Sequence, residues 1–289
     1  MPDTTPTPTA PAATAPAATA PATAAPARAF FPPRPDGQPG LALFLNAGDP
    51  PAPALSDLIL MLDEERLDVL ELAVPFPNSA TDGPVIRRSA TRALAHATTL
   101  DTVLAHLAEL RPHLRHLRIA LLADWSHSLK HHDPAAATTA IARAGADALL
   151  VHALPPRLRP AYREAARAAA LPQVTTCYHG SADHVIADAA EHAGAYVYLV
   201  AHYGRSGTAP AAGHGALADT VAALRARTDA PVAVGFGVRD AADVAAVART
   251  GAHAAIVGSA AVARVEQALD QRRDVVTDLR AFVRALRTP

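Results

Sequence analysis

Lysine is almost missing from this 289-residue chain: Lys130 is the only one, and arginine supplies every other fixed positive charge. Enzymes that hold a substrate as a Schiff base need an amine at the end of an inward-facing strand. Lys130 lies instead in a polar, histidine-rich stretch, residues 126–132, which argues against covalent amine catalysis. Cysteine is equally scarce. Cys177 alone cannot form an internal disulfide, in keeping with a reducing compartment, so a cytoplasmic location is expected. No apolar run approaches the roughly 20 residues needed to span a bilayer, and the N-terminus lacks the basic-then-apolar layout of a secretion signal. Charge of one sign is missing too: the formal net charge is −1 and the basic residues are scattered. That leaves no electrostatic footprint for nucleic acid or an anionic membrane surface. Small, neutral partners fit this balance better.

Residues 1–28 are almost wholly Ala, Pro and Thr, with proline too frequent for a helix and no bulky apolar group to bury. They are expected to form a disordered tail. A transit peptide would be richer in Arg and Ser, and only Arg28 occurs there. Residues 29–289 then form one catalytic domain, since half of all residues are apolar and the length suits a single large core.

From Leu41 onward, short apolar runs alternate with longer Ala/Leu/Arg segments of helical period. Eight runs can be counted: Leu41 to Ala47, Leu67 to Ala73, Leu117 to Ala123, Ala146 to Ala153, Gln173 to Cys177, Ala195 to Ala201, Pro231 to Phe236 and His253 to Val257. Most are continuous rather than alternating, the pattern of parallel strands covered on both faces. Gly145, Gly194 and Gly251 precede three of these runs, where left-handed helix caps are expected. Eight strand–helix units in about 250 residues fit a (β/α)8 TIM barrel. A doubly wound sheet would usually carry a Gly-rich dinucleotide loop after its first strand, and this chain has none. The interval of about 43 residues between the second and third runs predicts an extra loop and helix over the barrel mouth. Active sites in this fold lie at the carboxyl ends of the strands. Glu71, Asp82, Asp124, His152, His202 and Gly237 all fall at or just after such ends.

Residues 70–84 carry the strongest chemical signal. Glu71 interrupts an apolar run, and a carboxylate there is costly to bury unless it is neutralised, hydrogen-bonded or given a substrate. Asp82 follows eleven residues later, before the turn pair Gly83-Pro84. The plainer alternatives are that Glu71 pairs with an arginine and that Asp82 caps a helix. Two glycine-bearing turns, Gly235-Phe236-Gly237 and Gly258-Ser259, end the seventh and eighth runs, where this fold commonly binds phosphate.

Taken in order, these motifs resemble the tryptophan synthase α subunit family across about residues 41–287. The resemblance rests on Phe44-Leu45-Asn46-Ala47-Gly48-Asp49-Pro50, Leu70-Glu71-Leu72, Val74-Pro75-Phe76, Asp82-Gly83-Pro84, Tyr198-Leu199-Val200, Gly204-Arg205-Ser206-Gly207, Gly235-Phe236-Gly237-Val238 and Gly258-Ser259-Ala260. It implies a lyase that splits indole-3-glycerol phosphate into indole and glyceraldehyde 3-phosphate. Glu71 would be the general acid/base, its pKa raised by burial, and Asp82 would accept a hydrogen bond from the indole nitrogen. Gly207, Gly237, Gly258 and Ser259 would hold the phosphate, Phe44, Leu122 and Tyr198 would wall the ring, and Ser206 would take the place of a threonine that contacts the catalytic aspartate. Two positioned carboxylates suit this reaction without a metal or other cofactor.

The chain departs from the family's pattern in places. Residues Pro77-Asn78-Ser79 lack the acidic residue and second proline of a loop that in the family touches a β subunit, which puts that partnership in question. Asp124 stands in place of an aromatic residue, His152-Ala153 in place of Ala-Asp, and His202 in place of arginine. Two other readings therefore stay open: a same-barrel enzyme with a changed phosphorylated substrate or a metal recruited by Asp124, His152, Cys177 and His202, and a non-catalytic barrel serving as a partner subunit.

Overall fold

The computed structural model describes residues 30–34, 37–201, 217–235 and 237–287. The expected tail at 1–28 lies outside them, as do His202, Ser206, Gly207 and Phe236. Eight parallel strands follow the predicted runs within a residue or two at most ends: β1 Gly40–Asn46, β2 Val69–Ala73, β3 Arg118–Asp124, β4 Ala148–His152, β5 Thr175–Tyr178, β6 Val197–Val200, β7 Val232–Gly235 and β8 Ala254–Val257. Each pairs with its sequence neighbour and β1 pairs with β8, so the sheet curls into a nearly closed (β/α)8 barrel. The exception is the seam between β4 and β5, bridged only by Leu149 and Gln173.

The strands are apolar on both faces, but the two faces differ in size. Leu41, Leu43, Leu70, Leu72, Ile119, Leu121 and Leu149 point outward and pack beneath the helices. Alternate residues point inward, and at the entrance end they are small: Ala42, Ala120, Ala148, Ala233 and Ala254. Eight-stranded barrels have interiors filled by side chains, and here the space above the alanines is taken by three aromatics. Phe30 and Phe31, just before β1, contact the Tyr196 ring at centroid distances of 5.8 and 5.3 Å. Three of the chain's few aromatic residues thus plug the floor of the barrel. Gly40 is required beside them, because a Cβ there would lie 2.6 Å from the Phe31 ring.

Carboxylates staple the entrance ends of the strands, where the first amides lack sheet partners. Asp63 accepts from the backbone N–H groups of Arg115, His116 and Leu117 at 2.7–2.9 Å. Asp68 accepts from Leu41 N and Asp147 from Ile119 N, both at 2.8 Å. Two of the three expected glycine caps are left-handed, Gly145 with φ 94° and Gly251 with φ 81°. Gly194 is not among the left-handed residues. It is small for another reason: a Cβ there would sit 3.1 Å from the Gln173 amide nitrogen.

The long interval after β2 holds a loop and two helices, α2 Pro84–Ala95 and α3 Leu100–Leu110. Helix α2 is the addition at the mouth, placing Val85, Ile86 and Ala90 against the central cavity. Helix α9, Ser259–Asp270, follows β8 and packs beside α2. Arg92 of α2 bonds both oxygens of buried Asp49 at 2.8 and 2.7 Å and reaches Glu266 of α9 at 2.7 Å. Arg88 makes a second, bidentate pair with Glu266. Among the described residues, no helix is long and apolar enough to cross a membrane.

Candidate active site

A cavity of about 410 Å³ opens at the carboxyl ends of the strands, a size that suits a small organic ligand. Glu71, at the centre of β2, points into it from below. Strand register forces this: Glu71 shares an inward row with Phe44 of β1 and Ala120 of β3, while its neighbours Leu70 and Leu72 face the helices. Glu71 is 2% exposed. Its Oε1 accepts a 2.7 Å hydrogen bond from the Tyr196 hydroxyl, and Tyr196 is itself fully buried. Burial disfavours the charged carboxylate more than the Tyr196 hydroxyl favours it, and the net effect raises the Glu71 pKa from 4.5 to about 7. A carboxyl poised there can both take and return a proton near neutrality. Its hydrogen-bond partner is a tyrosine and not an arginine.

Asp82 lines the same cavity from the loop between β2 and α2. The helix cap is Gly83, with Pro84 in the first turn, so Asp82 stands just outside the helix. The carboxylates at 71 and 82 together with Tyr178 press on the hydroxyl of partly buried Tyr198, whose pKa is pushed well up, chiefly by loss of solvent around it. The Tyr198 ring demands Gly235, since a Cβ there would lie 2.3 Å from its hydroxyl oxygen.

Phe44, Leu122 and Tyr198 all line the cavity, as do Gly237, Gly258 and Ser259. Gly237 is left-handed at φ 81°. Gly258 caps α9, and a Cβ built on it would meet only Phe44, at 3.8 Å. No described residue crowds a Cβ at 258, so the space beside it is open to a group from outside. The Ser259 hydroxyl oxygen is shielded from solvent and has no hydrogen-bond partner among the described residues. An unsatisfied hydroxyl beside open amides at the start of a twelve-residue helix is the physical profile of an anion site. Ser206 and Gly207 lie outside the described residues.

Of the residues weighed for a metal, Asp124, His152 and Cys177 are among those described, and Cys177 stands apart from the other two. Cys177 is fully buried beneath the helices, and burial pushes its thiol pKa up. Asp124 and His152 do meet, as neighbours in register at the ends of β3 and β4, with His152 Nδ1 2.9 Å from Asp124 Oδ2. His202 lies outside the described residues. Among those described, no three His, Cys, Asp or Glu side chains are arranged to hold a metal ion.

Sequence reasoning missed Tyr196, which reads as one more bulky residue in an apolar run. Its spacing of two from Tyr198 puts both on the inner face, and a buried tyrosine hydroxyl wants a partner. It also missed Phe76, Thr81 and His127, whose importance depends on how a loop folds back onto the mouth.

The chain is similar to known proteins along most of its length. The family model described as tryptophan synthase alpha chain matches residues 34–288. The tryptophan synthase alpha chain of Burkholderia mallei is 36% identical over 251 residues, covering 87% of this chain and 91% of that one. That of Burkholderia ambifaria is 34% identical over 254 residues with the same coverage. Among solved structures, tryptophan synthase subunit alpha from Legionella pneumophila superposes with a TM-score of 0.77 at 25% identity, covering 86% of this chain and 91% of that one. The A-subunit from Pyrococcus furiosus gives 0.75 at 26% identity, covering 86% and 97%. With a family match over nearly the whole barrel, and relatives above one-third identity along most of its length, this chain belongs to the tryptophan synthase alpha chain family.

Proposed function

We propose that this barrel cleaves indole-3-glycerol phosphate to indole and glyceraldehyde 3-phosphate by a retro-aldol reaction. The observation that carries the reading is Glu71, a buried carboxyl with its pKa near 7 at the base of a cavity whose rim bears an open anion site. Glu71 removes the proton from the side-chain hydroxyl that becomes the aldehyde and supplies a proton to the ring carbon that loses its substituent. Asp82 accepts from the indole N–H and stabilises the ring while it carries positive charge. Gly237, Gly258 and Ser259 hold the phosphate with backbone amides and one hydroxyl, aided by the positive end of α9. Phe44, Leu122 and Tyr198 sandwich the ring. Ser206 and Gly207 complete the site from the segment after β6.

The exposed loop tip at Pro77-Asn78, with Asn78 left-handed at φ 58°, carries no charge for a β-type subunit to read. The reading therefore includes turnover by the chain alone, with indole released. Purified protein incubated with indole-3-glycerol phosphate should liberate indole without a partner, and Glu71→Gln should lower that rate at least about 100-fold. Silence of the wild type, alone and with a β subunit, would reject the lyase assignment.

A further inference from the structure

The mouth of the cavity holds an assembly that the reaction above does not use. Asp124, the last residue of β3, is 2% exposed, and four hydrogen bonds converge on it. Its Oδ2 accepts from His152 Nδ1 at 2.9 Å. Its Oδ1 accepts from the His127 backbone N–H at 3.0 Å, from His127 Nδ1 at 2.7 Å and from the Ser126 hydroxyl at 2.8 Å. Burial is the largest single influence on Asp124 and would raise its pKa, but the bonds from His152, His127 and Ser126 outweigh it and hold the carboxyl at about 2. An ionised carboxylate can only accept. Each Nδ1 facing it must therefore carry a proton, which leaves Nε2 of a neutral His152 as an acceptor.

That acceptor faces the loop bearing Asp82. His152 Nε2 lies 3.4 Å from the Thr81 hydroxyl, which in turn lies 3.3 Å from the Ser79 hydroxyl. The Phe76 ring, five residues before Thr81, stacks against both imidazoles: 5.4 Å from His127 at 26° and 5.6 Å from His152 at 29°. The loop is thus held at Phe76 between two rings and at Thr81 by one ring nitrogen, and both rings are aimed by a single carboxylate. Phe76, Thr81, Asp82 and His152 all line the cavity.

We infer that His152, aimed by Asp124, is a positioning residue that sets the place of the Asp82 carboxylate by anchoring Phe76 and Thr81. This rests on the lyase reading for its kinetic consequence. Positioning matters because a group displaced by about 1 Å from its transition-state partner loses on the order of 100-fold in rate. The interaction is made with a group that acts on the ring cation, so its loss falls on kcat more than on KM.

The test uses the full chain and two independent readouts. Hydrogen exchange of the amides at residues 76 and 78–82 should quicken at least tenfold in His152→Ala relative to wild type, with exchange in β1 and β2 unchanged. This readout requires no substrate, and equal exchange in the loop would overturn the tether. For catalysis, His152→Ala should lower kcat for indole-3-glycerol phosphate about 10- to 50-fold with KM changed less than threefold. His152→Gln, whose amide can reach Thr81, should recover part of the loss. In an Asp82→Asn background, removal of His152 should cost little more, since the residue it positions is already disabled. Full additivity of the two losses, or wild-type kcat in His152→Ala, would overturn the inference. Wild-type inactivity would reject the lyase reading instead, while the exchange experiment still decides the tether.

Discussion

At the scale of single residues, Glu71 links chemistry to stability. Its folded pKa of about 7 lies above its ordinary 4.5, so the folded state holds more protons than the unfolded chain between those values. Stability from this group is fully present below about pH 4.5 and declines as pH rises through 7. The shift corresponds to about 3 kcal/mol. Glu71→Gln cannot ionise, so it should match wild type near pH 4 and exceed it by up to about 3 kcal/mol at pH 8, read from urea unfolding at each pH. The substitution expected to slow turnover should therefore toughen the protein in alkali. Tyr196 tunes the same group: its hydroxyl favours the carboxylate, so Tyr196→Phe should push the Glu71 pKa further up. If the carboxylate begins the reaction, the acid limb of the kcat/KM profile, expected near pH 7 in wild type, should move alkaline in Tyr196→Phe.

At the scale of elements, strand ends divide the labour. Exits carry the cavity, and entrances carry the carboxylate staples. Asp63, in the last turn of α1 (Ala52–Glu64), satisfies three backbone amides at the start of β3. Asp63→Ala would leave the buried Leu117 amide without a partner and turn those of exposed Arg115 and His116 to water, and should cost about 2 kcal/mol, measured as a lower urea midpoint. Indole release by the folded fraction should be unaffected, since Asp63 lies at the far end of the barrel from the cavity.

The strands were legible because both of their faces are buried, which turns each into an unbroken apolar run such as Leu67 to Ala73. A polar interruption in one of them, Glu71, then stood out. The Asp124–His152 pair was only half legible. Each residue was visible at a strand end, but their contact depends on the β3–β4 register that sets Asp124 opposite His152, and no local pattern encodes a register between parallel strands. Gly194 misled for the opposite reason. Its position matched a helix-cap pattern, whereas what requires it is the close backbone of Gln173, a contact between distant segments.

At the scale of the whole molecule, the barrel is a ring with one weak link. Seven neighbouring pairs of strands share a ladder, and β4 with β5 share only the bridge at Leu149–Gln173. Native-state hydrogen exchange should find this edge opening first: the amides of Leu149 and Val174, which form the bridge, should exchange at least about tenfold faster than those of Leu43 and Leu70 in the β1–β2 ladder. Uniform protection around the ring would contradict it.

The seam also divides the proposed chemistry. Glu71, Asp82 and His152 belong to the first four strand–helix units, whereas Tyr196, Gly237, Gly258 and Ser259 belong to the last four. In the proposed reaction the first arc supplies the carboxylates that move the proton and steady the ring, and the second supplies the amides and hydroxyl that hold the phosphate. Neither arc alone is a diminished enzyme; each is half of a sentence. Indole release therefore serves as an assay of closure, since a chain that has wound its two arcs but not joined them holds every proposed reactive group and still lacks an active site.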